Sequence, residues 1–125
     1  MISGIDKNYL LGPLFDFIEN RRDRFWVHGL KGSSAAYVLS QVACRLHSPL
    51  FVLTATEEKA ERFSQEIRFF VNPDQKVFLY PSWDVKPFEK ISPAAEVMGQ
   101  RWQVRHHLLA APAPGIVVAS LESVV

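Results

Sequence analysis

The residues with the strongest chemical signature are Gly29, Lys31, Gly32, Ser33 and Ser34, which follow the apolar run Phe25-Trp26-Val27 and lead into a helical pattern. Such a loop at a helix N-terminus can hold phosphate, because backbone N–H groups converge on the anion and the helix dipole favours negative charge. The working spacing is G-x-x-x-x-G-K-[ST], in which the Lys reaches the outer phosphates and the hydroxyl holds magnesium. Counted from Gly29, Ser34 stands where the second Gly belongs, Ala35 replaces the Lys and Ala36 replaces the hydroxyl. The stretch therefore reads as a P-loop that has lost its chemistry. A charge-assisted hydrogen bond contributes roughly 1.5–3 kcal/mol, and about 1.4 kcal/mol is tenfold in affinity. Losing the Lys and the hydroxyl together weakens triphosphate binding by orders of magnitude. Lys31 and the helix N-terminus leave weak anion binding at most.

A second group lies in the thirteen residues from Pro81 to Pro93, which hold three prolines and no clean period. Together with Tyr80 just before it, this loop mixes aromatic and basic side chains, Trp83 and Phe88 with Lys86 and Lys90, as single-strand binders do. The alternative is that Trp83 and Phe88 pin a long loop onto the sheet while the lysines stay in water. Arg101 and Arg105, four apart, share a helix face; that face is either solvated or turned to a neighbouring domain or nucleic acid. No metal site is expected. His106 and His107 are adjacent on a helix and diverge by about 100°, and His28 and His47 are solitary. Cys44 reads as a small core residue, and no G-x-S-x-G elbow of a serine hydrolase is present.

Several elements must position these groups. A stripe at Leu11, Leu14, Phe15 and Ile18 predicts an N-terminal helix over Tyr9 to Ile18, with Gly12-Pro13 counting against it. Arg24 to His28 reads as a short buried strand. Ser33 or Ser34 can cap the next helix, whose buried stripe is Ala35, Val38, Leu39, Val42 and Leu46. Leu50-Phe51-Val52-Leu53 is the continuous apolar run of a parallel strand covered on both faces. Thr54 or Thr56 caps a third helix, with Glu57 and Glu58 in its first turn and Ala60, Phe63, Ile67 and Phe70 at helical spacing. Lys76 to Tyr80 is a third strand. A helix from near Pro93 through Ala110 carries a broad stripe of Val97, Val104 and Leu108 with Met98, Trp102 and Leu109. Ile116 to Ala119 is a fourth strand, and Ser120 caps a helix cut off by the end of the chain.

This is a doubly wound α/β pattern with a parallel sheet of four strands. The 125 residues suffice for a domain with its own core, and the expected division is 1–23, a helix and connection, and 24–125, the α/β domain, truncated at its C-terminal end. The net charge of +1 sets up no strong global field toward nucleic acid or anionic membrane. One cysteine excludes an internal disulfide framework. With no apolar run of membrane-spanning length and no signal peptide pattern, a cytoplasmic location is expected.

The order of these segments resembles the first RecA-like domain, a P-loop NTPase-type fold, of superfamily 2 helicases. Within that superfamily it is most similar to the UvrB-related module of the bacterial transcription-repair coupling factors (Mfd). The segment Tyr80-Pro81-Ser82-Trp83-Asp84-Val85-Lys86-Pro87-Phe88-Glu89-Lys90-Ile91-Ser92-Pro93 resembles their Asp-Trp-containing, Pro-rich loop. UvrB itself carries a longer Tyr-rich insertion there and an intact P-loop; this chain has neither. The resemblance implies an inactive copy of a UvrB domain with no cofactor of its own. ATP and magnesium would be bound only by later domains of a parent DNA translocase, which displaces stalled RNA polymerase from double-stranded DNA and recruits UvrA through the adjoining domain. The competing expectations are the first part of an active helicase ATPase and a stand-alone phosphate-ligand-binding domain.

Overall fold

A computed structural model describes residues 7–20, 24–85, 89–110 and 113–125. The described elements run α1 (Lys7–Glu19), α2 (Ser34–Arg45), β1 (Leu50–Thr54), α3 (Glu57–Phe70), β2 (Lys76–Tyr80), α4 (Ala95–Ala110), β3 (Gly115–Ser120) and α5 (Leu121–Val124). The three strands form one open parallel sheet in the order β1-β3-β2, with Val52 opposite Val118 on one side of β3 and Leu79 opposite it on the other.

The helices divide between the two faces. Val52, Ile116 and Val118 join Ala36, Ala43, Ala60 and Ile67 in the core, with Val77 and Leu79 packed against it; this is the face of α2 and α3. Side chains alternate along a strand, so Phe78 and Tyr80 of β2 point the other way, toward α4. There Phe78 meets the His107 ring with centroids 4.6 Å apart. β3, the central strand, is buried at all six positions.

Three strands stand where the pattern predicts four. Residues 24–30 are irregular, and Trp26 is 76% exposed. Phe25 packs on Phe17 of α1 at 5.1 Å between ring centroids and makes no strand pairing. Three apolar residues in a row mark burial but do not say against what. Phe51 and Leu53 are a second correction: they are 57% and 56% exposed, so β1 is covered on one face only. Cys44, read as a core residue, is exposed, with its thiol 3.6 Å from Gln75 Oε1. The broad stripe on α4 also narrows. Val104 is buried and Val97 and Leu108 are half-buried, but Met98, Trp102 and Leu109 are exposed.

Helix ends follow local chemistry. Thr56 caps α3 by accepting from the Lys59 N–H at 3.3 Å. Ser33 occupies the cap position of α2 without a side-chain hydrogen bond. Asn72 closes the turn before β2, its carbonyl accepting from the Gln75 N–H.

Gly115 opens β3 because there is no room for a side chain. A Cβ there would sit 2.9 Å from His107 Nε2 and 3.4 Å from the Lys76 carbonyl oxygen. Alanine normally gains about 0.5–1 kcal/mol over glycine in a strand. Here Gly115→Ala is expected to destabilise by about 1–2 kcal/mol through overpacking, and adding His107→Ala should remove most of that coupling. Urea unfolding of the two single variants and the double variant measures it.

Candidate functional sites: the Gly29–Ser34 loop and the strand ends

The Gly29–Ser34 loop turns on its two glycines into the start of α2. Gly29 and Gly32 have positive φ of 80° and 55°, the left-handed conformations that glycine adopts without penalty. The Ser34 N–H, which would point at a phosphate, donates instead to the Lys31 carbonyl at 3.2 Å, and the Tyr37 N–H donates to Ser33 at 3.1 Å. Lys31 is exposed and Ser34 Oγ is buried with no partner. No cation of the loop is turned inward. A cavity of about 520 Å³ lies beside Gly32, bounded by the end of β1 and by Lys59, Arg62 and Phe63 of α3.

All three parallel strands end on the same side, where open α/β sheets place their sites. Here side chains tie the strand ends to one another. Glu57, in the first turn of α3, accepts the Ser82 N–H with both carboxylate oxygens at 3.2 Å and the Ser120 hydroxyl at 2.9 Å. One carboxylate thus links the ends of β1, β2 and β3. Ser120 also caps α5, accepting the Ser123 N–H at 3.2 Å.

Arg101 is the second tie. It sits in the buried stripe of α4 beside Val104 and is only 6% exposed. Its Nη1 donates to the carbonyls of Pro81 and Ser123, and its guanidinium carbon lies 4.1 Å from the Tyr80 ring centroid and 4.3 Å from that of Trp83. Burial lowers its pKa from the ordinary value; Tyr80 and Glu57 oppose that shift and Arg105 reinforces it. A guanidinium starts so high that it stays charged. Two carbonyls and two aromatic faces therefore compensate a buried cation, although Nε has no partner.

The residues singled out in the sequence thus fall into different environments. Arg101 and Trp83 meet, and they anchor the start of the Pro-rich loop. Asp84 holds the other end by accepting the Ala94 N–H at 3.0 Å, just ahead of α4. Arg105 is exposed and donates to the Tyr80 hydroxyl at 3.1 Å. Lys90 is exposed, while Lys86 and Phe88 lie outside the described residues. Sequence reasoning missed Glu57 as a tie and Arg101 as a buried residue. The spacing Val97, Arg101, Val104, Leu108 does place Arg101 on the buried stripe, a signal obscured by its charge.

No family model matches the chain. Curated proteins do. Over 90 residues, 68% of the chain, it is 28% identical to the transcription-repair-coupling factor of Myxococcus xanthus. Over 96 residues, 72% of the chain, it is 31% identical to the proteins of the same name from Mycobacterium bovis and Mycobacterium tuberculosis. The matched stretch is about 8% of the length of each of these relatives.

Proposed function

The chain belongs to the transcription-repair-coupling factor family, and from that premise we propose that it is a non-catalytic, UvrB-like scaffold segment with a RecA-like fold. In this reading the parent protein is an ATP-dependent DNA translocase that displaces stalled RNA polymerase. The segment carries the domain that recruits UvrA and packs against other domains to regulate the whole.

The observation that carries the reading is the Gly29–Ser34 loop. Gly29 is kept with a positive φ, Ser34 replaces the second motif Gly, Ala35 and Ala36 replace the Lys and the magnesium hydroxyl, and the Ser34 N–H is spent on an internal turn. A working site needs preorganised donors aimed at the transferring phosphoryl group. The tied strand ends suit a scaffold too, since Glu57 and Arg101 convert the usual site edge into a brace.

A phosphate-release assay tests it. The chain is expected to hydrolyse ATP at background rate, with or without double-stranded DNA. Turnover above background that Lys31→Ala abolishes would overturn the reading. UvrA is expected to bind the chain only when the adjoining domain is attached; equal binding to the chain alone would move the recruiting surface into this segment.

A further inference from the structure

β2 is an edge strand, so one side of its backbone has no neighbouring strand. That side opens into a cleft of about 750 Å³ between α3 and α4. Lys76 to Leu79 of β2 line it, with Arg68 of α3 on one side and α4 on the other. Arg68 of α3 already reaches across, donating from Nη2 to the Val77 carbonyl at 3.2 Å. An edge carbonyl there accepts from a long, exposed and replaceable side chain.

The charge of the cleft is one-sided. Arg68, Lys76, His106 and His107 line it with Gln100 and Gln103, and its described lining holds no carboxylate. His107 Nε2 is buried without a hydrogen-bond partner. Basic residues on an edge also discourage self-pairing, and Lys76 would oppose another copy of β2. The same charges favour a strand bearing carboxylates.

We propose that the β2 edge is a docking site for an extended acidic segment of a partner protein, which adds to the sheet as a fourth strand between α3 and α4. Main-chain hydrogen bonds to β2 supply the affinity, and side chains at alternate positions supply the selectivity. Carboxylates at adjacent positions point to opposite faces, one toward Arg68 on the α3 side and the next toward Lys76 on the α4 side, and Gln100, Gln103 and His106 supply further polar contacts along the α4 wall. This surface lies on the opposite side of β2 from β3 and does not involve the Gly29–Ser34 loop.

The test uses fluorescence anisotropy of the 125-residue chain with a labelled hexapeptide Glu-Glu-Val-Glu-Glu-Val, which presents carboxylates on both faces of an added strand. The Glu peptide is expected to bind at least tenfold more tightly than the same peptide with Lys for Glu. Arg68→Glu with Lys76→Glu should weaken it by tenfold or more. A Glu peptide N-methylated at alternate residues keeps its charge but cannot donate along one edge; it should lose binding, and this arm does not depend on the variant folding. Equal binding of the acidic and basic peptides would overturn the proposal, as would undiminished binding of the N-methylated peptide. Displacement of the peptide by a single-stranded oligonucleotide that binds more tightly would assign the cleft to a phosphate polymer instead.

Discussion

Arg101→Ala is expected to destabilise the chain by roughly 3–5 kcal/mol, far more than an arginine on a helix surface contributes. The side chain donates to two carbonyls, of Pro81 and Ser123, and lies against the rings of Tyr80 and Trp83. A hydrogen bond from a charged donor contributes about 1.5–3 kcal/mol, and a desolvated cation–π contact about 2 kcal/mol or more. These do not add fully, and removing the buried charge recovers some desolvation. Two carbonyls would still lose a donor, and the start of the Pro-rich loop would lose its anchor. Arg101→Lys keeps the charge but not the planar fork or its stacking, so it should lose more than half as much. Arg105→Ala is the control. That residue is exposed and makes one hydrogen bond to the Tyr80 hydroxyl, so a loss under about 1 kcal/mol is expected. Urea midpoints rank the three variants, and equal losses for Arg101→Ala and Arg105→Ala would contradict the brace.

The second large effect belongs to Ile67. It is fully buried in the cluster that joins α2 and α3 to β1 and β3. Its neighbours there are Ala36, Ala43, Ala60, Val52, Ile116 and Val118, several of them too small to reach into a void. Deleting a large aliphatic side chain at such a site costs about 2–5 kcal/mol through lost transfer energy plus the cavity left behind. Ile67→Ala is expected in the upper half of that range, and Ile67→Val at about 1 kcal/mol. The exposed Phe69 provides the contrast; Phe69→Ala should change stability by no more than about 0.5 kcal/mol.

Most of the fold was legible where period and punctuation agreed. Ala60 and Ile67 recur at helical spacing behind Thr56, and both are fully buried. Lys76 to Tyr80 and Ile116 to Ala119 form strands as their apolar runs suggest. What failed was the identity of the partner. Phe25-Trp26-Val27 has strand composition, but composition does not name a pairing partner, and Phe25 meets Phe17 of α1 while the segment stays irregular. Phe51 and Leu53 carry the composition of a two-sided strand, yet α4 packs beside β2, away from them. At the Gly29–Ser34 loop the sequence alone shows that Ala35 and Ala36 stand at the Lys and hydroxyl positions of the motif, and the structure adds the positive φ of Gly29 and Gly32. The ties at the strand ends were not legible, because Glu57, Ser82 and Ser120 are brought together only by the parallel register. Charge misled at Arg101, where aromatic faces and carbonyls do the work usually left to water.

The central proposal is that the Gly29–Ser34 loop does not handle nucleotide. Calorimetric titration of the chain with ATP and magnesium, repeated on Lys31→Ala, tests it most directly. No heat of binding at millimolar nucleotide, in either protein, is the predicted result. Micromolar binding that disappears with Lys31→Ala would contradict the account, because it would make the exposed Lys31 a working phosphate ligand.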